Sequence, residues 1–103
     1  MYQINATDAY IKWFKKLKDR TAKVRILARL TNIESGSLGD TKSLDSNVSE
    51  FRIPYGPGYR VYYTMKQDVI VLLLIAGDKS TQKRDIEKAK ALYLEWENKN
   101  ESI

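Results

Sequence analysis

Phe51-Arg52-Ile53-Pro54-Tyr55-Gly56-Pro57-Gly58-Tyr59-Arg60-Val61-Tyr62-Tyr63 decides the fold of this chain. Two β-branched and aromatic runs, at about 48–53 and 58–66, flank a segment with two glycines and two prolines, a composition that marks a sharp reversal. Side chains alternate across a strand, so Phe51 and Ile53 share one face while Glu50 and Arg52 share the other. Tyr59, Val61 and Tyr63 likewise lie opposite to Arg60 and Tyr62. A turn symmetric about Gly56 pairs residues whose numbers sum to 112, which sets Arg52 directly against Arg60 on the side away from Phe51.

Outward from this hairpin, Lys66-Gln67-Asp68 is short enough for a second antiparallel reversal into Val69–Ala76. That run is apolar throughout and predicts an interior strand covered on both faces. Upstream, Tyr10, Trp13, Phe14 and Leu17 recur at helical spacing, predicting a helix over about 7–18 capped by Thr7 or Asp8. Ala22, Ile26, Leu30 and Ile33 predict a second helix over about 21–34, ended by Gly36 and Gly39. Residues 35–47 read as a loop with room for one short strand. Ile86, Ala89, Tyr93 and Trp96 mark a last helix over about 81–98, capped by Ser80 or Thr81. The expected architecture is a single α+β domain over 1–103, with a two-helix N-terminal hairpin packed on a three-stranded antiparallel β-meander and a C-terminal helix.

Composition narrows the chemistry. The chain has no cysteine, which excludes disulfides and thiolate metal sites, and no histidine, which removes the commonest general base and metal ligand. No metal or cofactor motif is present, and Gly56-Pro57-Gly58 opens a strand rather than a helix, unlike a nucleotide-binding glycine loop. No apolar run reaches the roughly 18 residues of a membrane span, and the N-terminus lacks a signal-peptide layout, so a cytoplasmic location with no membrane partner is expected. The net charge of +5 suits a polyanionic partner.

Three features bear candidate chemistry. Opposed arginines repel. An anion between Arg52 and Arg60, such as a phosphate, relieves that repulsion; a neighbouring carboxylate such as Glu50, or exposure to water, does so too. Gly77-Asp78-Lys79-Ser80-Thr81 joins the apolar strand to the last helix, where free N–H groups attract anions or are capped by Asp78 or Thr81. Residues 10–30 carry eight basic side chains (Lys12, Lys15, Lys16, Lys18, Arg20, Lys23, Arg25, Arg29) against Asp19 alone, which suits a phosphate backbone or, more plainly, a solvated helix surface. Tyr10, Tyr63 and Tyr93 are expected in the core, and Tyr55 and Tyr62 are the tyrosines read as RNA contacts.

The stretch 51–63, followed by an apolar strand and Gly77-Asp78-Lys79-Ser80-Thr81-Gln82 with Asp85-Ile86, resembles the RelE/ParE toxin superfamily. It is most similar to the branch of addiction module killer proteins grouped with HigB. The resemblance implies a microbial-ribonuclease-like fold and the toxin of a type II toxin–antitoxin system, a metal-independent endoribonuclease (mRNA interferase) that cleaves messenger RNA on the ribosome and so inhibits translation. It implies a helix-turn-helix antitoxin as partner in a toxin–antitoxin hetero-oligomer, the ribosome and mRNA as targets, and no cofactor. Carried over by position, Arg60 matches the family's central-strand arginine, Lys79 a basic residue after the next strand, and Arg52 an arginine of the preceding strand. The histidines of better-known HigB toxins and the C-terminal tyrosine of RelE are absent, which leaves Lys79, Asp85 and Tyr55 as candidates for the general base. Lys12, Lys15, Lys16 and Lys23 are the expected RNA and ribosome contacts. Two rival readings share the fold: a ParE-like inhibitor of DNA gyrase, and a non-catalytic nucleic-acid-binding module.

Overall fold

The computed structural model describes residues 1–101, with side chains up to residue 99. Strand β1 (Gln3–Ala6) leads into helix α1 (Asp8–Lys16) and helix α2 (Arg20–Glu34). Strands β2 (Thr41–Ser43), β3 (Ser49–Ile53), β4 (Tyr59–Lys66) and β5 (Ile70–Asp78) follow, and a 3₁₀ turn (Lys79–Thr81) opens helix α3 (Gln82–Glu101). The α+β class holds, but the sheet has five strands in the order β1-β5-β4-β3-β2, and β1 runs parallel to β5. The three-stranded meander is therefore its centre rather than its whole. In β1, Ile4 and Ala6 pack on the core, as Tyr2 does just ahead of it, while Gln3 and Asn5 face outward. That alternation is the strand signal in the N-terminal sequence.

The hairpin behaves as its composition dictates. Gly56 and Gly58 adopt φ values of 59° and 79°, a region L-residues avoid, and the Tyr55 carbonyl accepts from Gly58 N–H at 3.0 Å. The resulting register pairs Arg52 with Arg60 and Phe51 with Val61, every pair summing to 112.

Each face of the sheet has its own core. Phe51, Ile53, Tyr59, Val61, Tyr63, Val71 and Leu73 pack with Tyr10, Ala22, Ile26 and Ile33 of α1 and α2. Tyr62, Leu72, Leu74 and Ile75 pack with Val48, Ala89 and the α3 stripe of Ile86, Leu92, Tyr93 and Trp96. A bulge shifts the register, with Tyr62 opposite Ile75 and Tyr63 opposite Leu73. It sends both Leu74 and Ile75 to the α3 side. The alternation beyond it is thereby inverted, and Gly77 arrives on the face of its partner Arg60.

Caps set the helix starts. Thr7 accepts from Tyr10 N–H at 3.1 Å and Asp19 from Ala22 N–H at 3.1 Å. Ahead of the last helix it is Asp78, of the candidates Asp78, Ser80 and Thr81, that caps the 3₁₀ turn, accepting from Ser80 N–H at 2.8 Å. Arg29 is spent on the fold, donating to the carbonyls of Arg52, Leu38 and Asp40 at 3.0, 3.1 and 2.6 Å. It ties the 35–40 loop to the end of β3.

Candidate active site

The site is built on the α3-side face of β3 and β4, where sheet alternation brings Glu50, Arg52, Arg60 and Tyr62 together. Glu50 is fully buried. Its Oε2 lies 3.1 Å from Arg52 Nε, which donates to it, and 3.4 Å from Arg60 Nε. The second contact is an ion pair without hydrogen-bond alignment, since Arg60 Nε has no hydrogen-bond partner. The anion that relieves the Arg52–Arg60 repulsion is thus the protein's own carboxylate. This is the plainer of the readings of the pair, a neighbouring carboxylate in place of an external anion.

That carboxylate leaves the cluster incompletely neutralised. One negative charge sits beneath two guanidinium groups, and both arginines meet it through Nε alone. Among the described residues, the Nη donors of Arg52 and Arg60 have no protein hydrogen-bond partner and are not among the buried unsatisfied atoms. The Arg52 side chain is 45% exposed and that of Arg60 11%. A planar fork with free Nη groups is suited to a phosphodiester. The burial of a carboxylate under charged groups is costly unless it is paired, so Glu50 exists in this position as the base plate of the two arginines.

Tyr62 is also fully buried, and its Oη has no partner. Burial, then the charges of Glu50 and Asp85, push its hydroxyl up to about 12 against the opposing pull of Arg60 and Arg52. The phenol therefore stays protonated at neutral pH. Its ring lies in the α3 core and cannot stack on a base, which corrects its reading as an RNA contact.

The other candidates occupy different places. Asp85 is buried above Gly77, so close that a Cβ on Gly77 would lie 1.9 Å from its Oδ2. That oxygen accepts from Thr81 Oγ1 at 2.5 Å. Tyr55 points away from the arginines: its hydroxyl donates to Asp19 Oδ1 at 3.2 Å, and its ring lies 4.9 Å beneath the Arg25 guanidinium. Lys79 is exposed beside Gly58 at the mouth of the hairpin, with its Cβ 4.0 Å from where a Gly58 Cβ would stand. The helix N-terminus next to it is no open anion site, because Asp78 occupies the Ser80 N–H and accepts from Ser80 Oγ at 2.5 Å.

The basic α1–α2 hairpin divides similarly. Lys12, Lys15 and Lys16 are exposed. Lys23 sits 5.3 Å over Phe14, Arg25 over Tyr55, and Arg29 lies 5.1 Å over Phe51. Those three charges serve the fold as cation–π partners of aromatic faces. Among the described residues no cluster of His, Cys, Asp or Glu has the makings of a metal site, and no helix is long and apolar enough to cross a membrane.

Residues 12–94 match the family described as phage-derived protein Gp49-like (DUF891). The chain belongs to the Gp49-like family. This Gp49-like chain is also 45% identical over 93 residues to an uncharacterized protein of Haemophilus influenzae, covering 90% of this chain and 94% of that one. Among solved structures it is similar to RelE in the intact E. coli RelBE toxin–antitoxin complex, with a TM-score of 0.63 at 17% identity, covering 76% of this chain and 96% of that one. The isolated E. coli RelE toxin superposes with a TM-score of 0.63 at 15% identity over 85% of this chain and 98% of the other. At such identities the likeness establishes a RelE-like fold for the Gp49-like chain.

Proposed function

We propose that this Gp49-like protein is the toxin of a type II toxin–antitoxin pair and acts as a metal-independent endoribonuclease on ribosome-bound mRNA. The observation that carries this reading is the Arg52–Arg60 pair, aligned across two strands over one buried carboxylate, with its Nη donors unspent. The RelE-like fold supports it, and the RelBE complex among its structural neighbours supports an antitoxin as partner.

In the proposed reaction the ribose 2′-oxygen attacks the adjacent phosphorus and loses its proton. The P–O5′ bond breaks and the 5′-oxygen takes up a proton, leaving a 2′,3′-cyclic phosphate and a 5′-hydroxyl. Negative charge grows on the non-bridging oxygens, and Arg60 and Arg52 stabilise it through Nη donors already fixed in place. Electrostatic stabilisation of this kind is commonly the largest catalytic contribution, with one donor worth about 10²-fold or more in rate. Glu50 is a positioning residue: it holds the two guanidinium groups from below and touches no substrate. Lys79, exposed at the hairpin mouth, supplies a third cation. Of the three residues weighed as general base, it alone is fully exposed; Asp85 is buried against Thr81, and the half-buried Tyr55 is committed to Asp19.

With so little acid–base machinery, the chain depends on the ribosome to orient the 2′-hydroxyl, a contribution that positioning can make large. Lys12, Lys15 and Lys16 are its contacts to ribosomal RNA phosphates. Incubation of the purified protein with mRNA-programmed ribosomes, followed by mapping of RNA ends, tests the proposal. Cleavage within the ribosomal A site, absent on free RNA, is the expected result. Intact mRNA together with arrested gyrase would place the protein with ParE-like inhibitors instead.

A further inference from the structure

Arg52 stands where strand pairing on its outer side runs out. β2 pairs with β3 from Ser43 opposite Ser49 to Thr41 opposite Phe51, so the carbonyl of Arg52 lies past the end of that ladder. Arg29 of α2 takes it instead, donating from Nη1 at 3.0 Å. The other arm of the same guanidinium, Nη2, donates to the carbonyls of Leu38 and Asp40 at 3.1 and 2.6 Å, on the chain that runs into β2. One side chain thus bridges the end of β3 to the approach of β2, a residue beyond their last strand pair.

That guanidinium is itself confined. The Phe51 ring lies 5.1 Å from it, and Gly39 closes on it from the loop. A Cβ on Gly39 would stand 3.0 Å from Cζ, Nε and Nη2 alike, which seats the loop against the face of the planar group. The φ of 69° at Gly39 is one that glycine adopts at no steric cost. Among the described residues no carboxylate pairs with Arg29. Its work is to reach carbonyls at two places, which a rigid fork does and the point charge of a lysine does not.

The two arginines of the candidate site differ in what holds them. Arg60 belongs to β4, which is paired on both sides, to Arg52 and to Gly77. Arg52 has a side chain 45% exposed, and Glu50 meets it at Nε alone. Glu50 works from the α3 side of the sheet, whereas Phe51 and Arg29 lie on the opposite side. The placement of the Arg52 Nη donors therefore depends on where the end of β3 is fixed.

We infer that Arg29 is a positioning residue of the Arg52–Arg60 site: it fixes the main chain from which Arg52 reaches a phosphate, and it touches no ligand itself. The inference rests on the reading of the pair as a phosphate site, and not on the ribosome. Because Arg29 acts through Arg52, its loss matters to binding only while Arg52 is present. A general loosening of the fold would weaken the site equally, whichever arginine remains.

The test is a double-variant cycle on the ¹⁵N-labelled full chain, with inorganic phosphate as probe, run below the melting range of every variant. Arg29→Lys keeps the charge and removes the fork. Gly39→Ala keeps the fork and displaces it by contact, and it carries the test should Arg29→Lys fail to fold. In the free protein, Arg52 Nε–H is expected to exchange with solvent faster in either variant than in wild type, with the Arg60 signal unmoved. Phosphate affinity is expected to fall roughly three- to tenfold, the scale of ordering one long side chain on binding. The same fall is expected in the Arg60→Ala background and no further fall in the Arg52→Ala background. An equal fall in both backgrounds, or an Arg52 Nε–H as protected in both variants as in wild type, would overturn the inference. Phosphate that shifts neither arginine in wild type would remove the anion site and the inference with it. Ribosome assays play no part in this readout, so a failure here and a failure of the ribonuclease proposal are separable.

Discussion

Glu50→Gln isolates what the buried carboxylate does. The substitution keeps the size of the side chain and removes its charge, leaving Arg60, 11% exposed, without its counter-ion. At 3.4 Å and an effective dielectric constant of about 20, the gross attraction to Arg60 is about 5 kcal/mol. Desolvation offsets part of this, and removal of one partner from a buried pair costs about 3–5 kcal/mol. The contact to Arg52, whose side chain is 45% exposed, adds at most about 1 kcal/mol after screening. Because the glutamine carbonyl still accepts a hydrogen bond, the expected loss lies near the lower bound, about 3 kcal/mol. For a domain of this size that lowers Tm by roughly 12–24 °C. The assay is thermal unfolding followed by circular dichroism, with Arg60→Met and the double variant completing a cycle. A coupling of about 2 kcal/mol between the two positions is expected. Ribosome-dependent cleavage should fall about 10²-fold in Glu50→Gln below its melting range, as both guanidinium groups lose their common anchor. Melting within about 2 °C of wild type, a shift smaller than about 1 kcal/mol would produce, would refute the idea that this carboxylate balances Arg60.

Three further outcomes follow from buried groups. Tyr62→Phe deletes a buried hydroxyl with no partner, so stability should hold or rise by about 1 kcal/mol; cleavage should be unchanged, and its loss in a stable variant would put the hydroxyl in the chemistry. Tyr10 has its hydroxyl pushed up to about 12 by burial, so the folded state favours the neutral phenol. Stability is then complete below the unfolded value near 10 and falls as pH rises from there to about 12; pH-dependent denaturation of Tyr10→Phe should show a shallower alkaline fall and no loss at pH 7. Gly77→Ala drives a methyl into Asp85 Oδ2 and Thr81 Oγ1, at 1.9 and 2.7 Å, and should cost about 1–3 kcal/mol in urea unfolding, recovered by adding Asp85→Ala.

Much of this molecule is legible in the residues of one hairpin. The 53–59 turn is symmetric, so alternation alone set Arg52 against Arg60 and Glu50 on their side. What alternation could not convey is depth. Glu50 and Arg52 share a face, yet one is fully buried and the other half exposed. The same limit misplaced Tyr62, whose polar tip suggested a surface role while its ring lies under α3. Strand β1 was missed for a different reason. Its four residues pair in parallel with β5 across more than sixty positions of sequence, a contact with no local turn to announce it. At the start of the last helix the sequence left the cap open among Asp78, Ser80 and Thr81, all competent caps, and only geometry selects Asp78. Charge counting was the bluntest guide. Lys23, Arg25 and Arg29 contribute to the same positive total as Lys12, Lys15 and Lys16, but each lies over an aromatic ring of the fold.

The most direct test of the arginine pair is a comparison of wild type and Arg60→Ala on mRNA-programmed ribosomes, with the chemistry of the RNA ends determined. Circular dichroism and antitoxin binding verify that the variant is folded. Wild type should leave 2′,3′-cyclic phosphate ends in the A site, and Arg60→Ala should do so at least about 10²-fold more slowly. A folded Arg60→Ala protein that cuts at the wild-type rate would contradict the account.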